Sequence, residues 1–537
     1  KLCEKYGVKK IPTDIEILLN TPDSKLELVK RSAHTKPTRT GSGVAVVAVM
    51  CEPRPCPHGA CTMCPSMTKQ GAPQSYTGKE PASLRATRNN FDSYLQVFNR
   101  LEQYVVLGQS PEKVDLIIMG GTFPSYPRDY QEDFVKYAFK AMNDFSRMFY
   151  KEGKFDVMAF REFFELPGDK DSEERLSRIQ KKLLDMKDDC DLIKEQKFNE
   201  TGNIRCIGMT IETRSDYATH ANEFLRLGCT RVELGIQTVY EEALKRINRG
   251  HGVQENIDAI KTLRDLGFKL NFHMMLGLPG ISKKDDIEGV KQLFEDERYM
   301  PDMLKLYPCM VVEHSELYKD YKEGKFNPIS TEEATEIICE IKKHVPGYCR
   351  IMRVQRDIPT YMTVAGVDRT NLRQYVHKRM KDKGIVCNCI RCREVSRRQS
   401  NNLEIKVQEY KASGGKDFFI SYEDPGNGAL AGFLRLRFPS QSLREEITDK
   451  SALIRELHVY GTSVALQDGS QEEVQHKGIG KKLLEKAEGI CRENGVEKVV
   501  IISGIGVREY YKKFGYYNEG PYMVKFNKNP ENQLSPP

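Results

Sequence analysis

The chain has 537 residues, too many for one hydrophobic core, so three or four domains are expected. Hydrophobic residues make up 39% and charged residues 30%, which excludes a disordered chain, and no run approaches the roughly 18 uncharged apolar residues of a membrane span. The net charge of +7, from 83 Lys plus Arg against 76 Asp plus Glu, is too small on average to establish a nucleic-acid partner.

The excess charge is unevenly placed. Between Lys25 and Arg39 lie Lys25, Lys30, Arg31, Lys36 and Arg39, with His34 among them and Glu27 as the one acid. Residues 1–40 therefore read either as a basic arm that pairs with phosphates or as a solvated tail. The chain starts at Lys1 with no signal-like segment, which predicts a native N-terminus further upstream.

Six apolar, β-branched runs follow: Val44–Met50, Val114–Met119, Cys206–Glu212, Val232–Gln237, Leu270–Leu276 and Met303–Val312. Most precede amphipathic segments such as Asp258–Leu266. Strand–helix alternation with nearly continuous apolar strands predicts a parallel sheet, here a partial (β/α)6 barrel over residues 41–315. Chemistry in such folds gathers at the carboxyl ends of strands. The residues there are the cysteine loop, Gly120-Gly121-Thr122, Glu212-Thr213-Arg214, Gln237, and Gly277-Leu278-Pro279-Gly280 after His273. The stretch from Phe123 to Arg205 reads as an insertion of solvated helices without chemistry.

Fifteen cysteines in this composition point to metal and not to disulfides. Cys56, Cys61 and Cys64 form C-x4-C-x2-C, with Pro57, Gly59 and Pro65 helping the loop wrap. Three thiolates on one loop can anchor three irons of a 4Fe–4S cube and leave the fourth iron open for S-adenosylmethionine. Gly120 and Gly121 would let backbone reach its amino group. Spacing alone leaves open a zinc loop completed by Cys51 or His58.

Residues 316–395 read as a helical, basic connector. Within it, Cys387, Cys389 and Cys392 could grip Zn²⁺, with His314, Cys309 or Cys349 as fourth ligand, or stand as free thiols. Residues 396–530 change period. Phe418–Tyr422 and Ala429–Arg437 flank Asp424-Pro425-Gly426-Asn427-Gly428, a hairpin signal. The strand Leu453–Tyr460 leads to Gln475-His476-Lys477-Gly478-Ile479-Gly480 and then to the amphipathic helix Lys481–Arg492. Q-x-x-G-x-G at a helix N-terminus suits the pyrophosphate of acetyl-CoA. Residues 531–537 read as a disordered tail.

The blocks SYTGKEPASLRATR (75–88), TIETRSDY (210–217), RVQRDIP (353–359), RELHVYG (455–461) and GPYMVK (520–525) make the chain resemble the catalytic subunit of the Elongator complex and its single-chain archaeal and bacterial relatives. The resemblance spans nearly the whole chain. It implies an α/β fold in which a radical-SAM partial barrel is followed by a GNAT-type acetyltransferase domain, with a 4Fe–4S cluster, S-adenosylmethionine and acetyl-CoA as cofactors. Cys56, Cys61 and Cys64 would ligate the cluster, and Glu212, Arg214 and Gln237 would contact S-adenosylmethionine. Tyr510 and Tyr511 would stand near the thioester as catalytic phenols, with His458 behind them. The zinc reading gains only part of its support here, because eukaryotic members do not keep all three connector cysteines.

The implied activity is formation of 5-carboxymethyluridine at the wobble position of tRNA, in which radical chemistry joins an acetyl-CoA-derived carbon to carbon 5. The anticodon stem-loop would lie between the domains, held by the basic arm, Arg85 and Arg88; single-stranded loop bases can be splayed out for such chemistry. The implied location is cytoplasmic, with no membrane partner and with accessory Elongator subunits optional. Two other readings compete: a protein lysine acetyltransferase with a structural iron–sulfur cluster, and a non-catalytic tRNA scaffold.

Overall fold

The computed structural model describes residues 13–22, 25, 28–29, 43–169, 172–395, 402–460 and 478–527. Two seven-stranded sheets organise them. The first contains β1 (Val44–Met50), β2 (Lys113–Met119), β3 (Arg205–Thr213), β4 (Arg231–Gln237), β5 (Lys269–Leu276), β6 (Met303–Pro308) and β7 (Arg350–Arg353). They lie in sequence order and every pairing is parallel. The expected runs all form strands, although the sixth ends at Pro308 and resumes as a separate short strand at Val311–Val312. Proline cannot donate to a ladder, and the break falls there.

The seventh strand was not legible in the connector. Arg350–Arg353 is only four residues long and half of it is charged, so no apolar run betrays it. β2 shows the rule by which the sheet works: Val114, Leu116 and Ile118 are fully buried, while the alternate residues are only partly covered and face the concave side.

The stretch between β2 and β3 corrects the reading of a purely solvated insertion. Its first helix, Arg128–Phe149, buries Phe134, Val135, Ala138, Phe139, Met142, Phe145 and Phe149 against the sheet. Phe145 and Phe149 continue into an aromatic cluster with Phe160 and Phe164. The helices Glu173–Asp185 and Leu192–Asn199 carry most of the charge.

The second sheet contains β8 (Glu404–Ala412), β9 (Gly415–Glu423), β10 (Leu430–Phe438), β11 (Ser451–Val459), β12 (Lys498–Ile501), β13 (Tyr517–Glu519) and β14 (Tyr522–Phe526), in the order β8-β9-β10-β11-β12-β14-β13. The predicted hairpin is β9–β10, with its turn at Asp424–Gly428. One face of this sheet packs on helix Ile479–Glu493 through Ile454, Leu434, Leu483 and Ala487. The other face meets the amino-terminal ends of the first sheet's strands. There Arg455 donates to Phe268 O at 2.8 Å, and Gly504 packs so closely on Ile207 O that a Cβ would have no room. The carboxyl ends of the first sheet are left free to build a cavity.

Candidate functional site

A cavity of about 560 Å³ occupies the carboxyl-end mouth of the curled sheet, lined in part by Cys56, Cys61, Cys64, Gln74, Tyr76 and Arg85. The cysteine loop runs from β1 across this mouth. Thr122 Oγ1 lies 3.4 Å from Cys56 Sγ, His58 Nε2 lies 3.5 Å from Cys61 Sγ, and Gln74 Nε2 donates to Cys64 Sγ at 3.1 Å. Burial pushes the Cys56 thiol up.

The spacing of these sulfurs distinguishes a cube from a single ion. One ion needs all its ligand atoms close together, whereas a cube spreads three thiolates over three irons. Among the described residues, Cys387, Cys389 and Cys392 form a group within 4.8 Å, and the loop cysteines with His58 do not. The loop cysteines are therefore not gathered round one ion, and three thiols on one loop are the donor set that a cube with one open iron takes. Cys51, the other alternative ligand, is fully buried beside Gly120, away from the cavity lining.

Gly120 (φ +135°) and Gly121 (φ +88°) hold backbone conformations that disfavour a side chain. A Cβ would lie 3.0 Å from Cys51 Cβ and 3.1 Å from Gln74 O respectively. Gln237 stands at φ +71° where the β4–β5 register shifts, an uncommon conformation for a residue with a side chain. Its amide reaches close to Gly235, where a Cβ would be 2.8 Å from Gln237 Nε2. Arg214 is buried, pairs with Asp216 at 2.9 Å and donates to Arg249 O at 2.8 Å. Arg249, which sequence reasoning missed, donates to Gly235 O at 2.6 Å and places Nη1 3.7 Å from Cys61 Sγ.

Below this loop lies a polar cluster that sequence reading did not assemble. Tyr76 Oη donates to Glu212 at 2.8 Å, and Lys305 Nζ lies 3.5 Å from Glu212. Glu233 takes an ion pair from Lys305 and a 2.8 Å contact from His273 Nε2. Burial alone would raise the Glu233 carboxyl, but Lys305 and His273 hold it well below the usual range. Burial and then Lys305 push His273 down. At neutral pH the group thus contains an ionised Glu233, a charged Lys305 and a neutral His273. Its one sequence signal is a set of polar or charged residues within otherwise apolar strands: Arg231, Glu233 and Gln237 on β4, His273 on β5 and Lys305 on β6.

In the second domain, Gly478 (φ +70°) starts helix Ile479–Glu493, and a Cβ on Gly480 would meet Tyr510 Oη at 2.5 Å. Tyr510 thus brings its hydroxyl to the helix N-terminus. Tyr511 points into the core, where burial raises its phenol above the ordinary value. His458 packs on Phe433 and Tyr460, and burial pushes it down to about 4. Gln475, His476 and Lys477 lie outside the described residues, as do Lys30, Arg31, Lys36 and Arg39. Arg85 lines the cavity; Arg88 on the same helix is exposed outside it.

At the connector, none of His314, Cys309 and Cys349 joins the group of Cys387, Cys389 and Cys392 among the described residues. The neighbouring side chain is Lys342, whose Nζ lies 3.1 Å from Cys387 Sγ and 3.6 Å from Cys392 Sγ. Donation from Cys387 and Cys392, aided by Lys342, pulls the Cys389 thiol well below its usual range.

A cysteine-lined cavity at the carboxyl ends of a parallel half-barrel, joined to a sheet with a glycine-started helix, defines a radical-SAM protein fused to an acetyltransferase fold. The comparisons agree. Residues 54–293 match the Radical SAM superfamily, residues 301–382 the Radical_SAM C-terminal domain, and residues 390–516 the Acetyltransferase (GNAT) family. The tRNA uridine(34) acetyltransferase of Methanocaldococcus infernus is 41% identical, over 96% of this chain and 91% of that protein. Elongator complex protein 3 of Saccharomyces cerevisiae is 38% identical, over 98% and 90%. The solved structure of an N-terminally deleted Elp3 from Methanocaldococcus infernus has a TM-score of 0.72 and 39% identity, covering 90% of this chain and 100% of that one. The chain belongs to the family of tRNA uridine(34) acetyltransferases and Elongator complex protein 3.

Proposed function

We propose that the chain modifies the wobble uridine of tRNA, using acetyl-CoA as carbon source and leaving 5-carboxymethyluridine. The observation that carries this reading is the union, in one chain, of a cavity fitted for a 4Fe–4S cube with an acetyl-CoA fold. Neither head alone accounts for the other. Both lie in this chain, so the reading calls for no accessory subunit, and a tRNA substrate implies a cytoplasmic place of work.

Cys56, Cys61 and Cys64 would hold the cube, and Gly120, Gly121, Glu212, Arg214 and Gln237 would seat S-adenosylmethionine. When bound, these groups supply a carbon-centred radical inside the cavity. The chain's own residues then position the reactants. Glu233 fixes Lys305 and His273 at the cavity wall, where a charged donor and a neutral imidazole are available to substrate carbonyl and proton. In the second head, Gly478, Ile479 and Gly480 open the helix N-terminus to pyrophosphate. Tyr510, with its hydroxyl beside Gly480, is placed to protonate a departing CoA thiolate, and Tyr511 serves as its packing support.

Cys387, Cys389 and Cys392 would bind Zn²⁺. Their mutual closeness suits one ion. Lys342 then provides either a hydrogen bond to the bound thiolates or a group displaced by a fourth ligand.

The lysine acetyltransferase reading needs a carboxylate base near the thioester. Burial would raise Glu456 of β11, but Arg435 at 2.8 Å and Lys269 hold it down. A carboxylate so firmly paired makes a poor base. The reading is tested by mass spectrometry of tRNA nucleosides after anaerobic incubation with reconstituted protein, reductant, S-adenosylmethionine and acetyl-CoA. A carboxymethyluridine that disappears when either small molecule is omitted supports it. Its absence, with cluster content and tRNA binding verified, overturns it.

A further inference from the structure

The polar floor of the cavity holds a donor and an acceptor side by side. His273 and Lys305 are direct register partners on β5 and β6, each three residues before the strand ends at Leu276 and Pro308. At about 3.3 Å per residue they lie roughly 10 Å below the carboxyl-end rim that carries Gly120, Gly121 and Gln237. Both line the cavity, and His273 keeps 18% of its side chain exposed there.

Glu233 decides which way each of them works. Its carboxylate is buried, ionised against Lys305, and can only accept hydrogen bonds. The 2.8 Å contact with His273 Nε2 therefore uses the proton on that nitrogen, and Nδ1 is left as an acceptor. Among the described residues Nδ1 has no hydrogen-bond partner. The Tyr307 ring packs on the imidazole at 5.6 Å and 73°, so two contacts fix its direction. Lys305 has three N–H groups. One pairs with Glu233 and one faces Glu212 at 3.5 Å, which leaves a third for a ligand. Asn271 gives Glu233 a further donor at 3.0 Å. Glu233 is thus fully partnered, while the two residues it orients each keep one open position. Open positions in so buried a place are costly unless a ligand completes them.

We propose that Lys305 and His273 read the edge of the target base, Lys305 donating to O4 of uracil and His273 Nδ1 accepting from its N3–H. This rests on the tRNA reading and adds how the base is chosen. Uracil presents an acceptor beside a donor along this edge. Cytosine presents an amino donor beside an N3 acceptor, so both contacts would set like against like. Holding this edge also fixes carbon 5, which adjoins the carbon that bears O4. The acetyl thioester offers a carbonyl but no neighbouring N–H, so it would satisfy Lys305 and leave His273 unmatched. The adenine of S-adenosylmethionine also has a donor beside an acceptor, but Gly120, Gly121 and Gln237, proposed to seat that molecule, stand at the rim above this pair.

The test uses the full chain, reconstituted anaerobically, and anticodon stem-loop RNAs that differ only in the wobble base. With reductant, S-adenosylmethionine and acetyl-CoA, the uridine and cytidine RNAs compete in one tube, and mass spectrometry counts the carboxymethylated nucleosides. Wild type is expected to prefer uridine by at least about 50-fold, because cytosine leaves two buried polar groups unmatched. His273→Ala keeps Glu233 paired with Lys305 and Asn271 and is expected to bring the ratio below about 10. Binding without reductant, read by anisotropy, gives a measure independent of turnover. There, uridine methylated at N3 is expected to bind wild type about 10-fold more weakly than uridine, and His273→Ala within about threefold of it. Affinity for S-adenosylmethionine, read by equilibrium dialysis, is expected to be the same in both proteins. A wild type that modifies the two bases alike, a ratio that survives His273→Ala, or an effect confined to S-adenosylmethionine affinity overturns the assignment and leaves the tRNA reading intact. Failure of the wild type to bind or modify either RNA overturns both.

Discussion

Arg455 of β11 and Asp302, the residue that precedes β6, meet at 2.6 Å across the join between the two heads, and both are completely buried. The pair is the middle of a larger cluster. Asp302 also receives Arg435, Asp417 binds Arg264, Arg437 and Arg455, and Asp265 binds Arg437. Arg264, Asp265 and Asp302 come from the first head and the others from the second. Such a cluster stabilises only when complete, since each charge has lost its water.

Removing one member should therefore be severe. Asp302→Ala is expected to cost about 3–5 kcal/mol, because it strands Arg455 and Arg435 without their counter-charge. Urea unfolding of wild type and variant checks this, and a change below about 1 kcal/mol would show that the cluster relaxes or admits water.

The same cluster fixes an acid response. Burial alone would raise Asp302 and Asp417, but the surrounding arginines, Arg455 first, hold both carboxyls below their ordinary value. A depressed folded value means that the stabilisation is fully present above the unfolded value of about 3.9 and is lost as pH falls below it toward the folded value. Stability should thus be insensitive to these groups from pH 7 to about 5 and should fall below about 4. Thermal melts across that range check the prediction, with Asp302→Asn showing the smaller acid slope.

Much of the first head was legible because its six expected strands are mostly apolar runs, each followed or preceded by helical segments. The cavity's polar floor was less so. Glu233, His273 and Lys305 are far apart in sequence and meet only because β4, β5 and β6 stand side by side in register. Arg249 belongs to a loop with no motif of its own, and its approach to Cys61 depends on the fold alone. The second head's glycine signal at Gly478 and Gly480 was readable, but which tyrosine turns inward was not, because that depends on the phase of a five-residue helix against β11.

Tyr510 and Tyr511 should separate on substitution. Tyr510→Phe is expected to slow release of CoA by roughly 10²-fold with little change in melting temperature. Tyr511→Phe should leave CoA release within about threefold, since its phenol lies in the core. A thiol-trapping assay of CoA release reads both, and the reverse pattern would assign the proton to Tyr511.

Cys64→Ala should lose cluster iron and the associated visible absorption after anaerobic reconstitution, yet keep the fold and RNA binding. Zinc content should be unchanged in this variant and fall to near zero in Cys389→Ser. Elemental analysis of the two proteins side by side distinguishes the two sulfur groups; loss of zinc from Cys64→Ala would place the ion at the wrong loop.

The central claim is that both heads act on one base. Incubating tRNA with the reconstituted protein and acetyl-CoA labelled with carbon-13 at both acetyl carbons tests it most directly. The account predicts a modified wobble uridine that carries both labelled carbons on carbon 5. Label found on protein lysines, with the uridine unchanged, would contradict it.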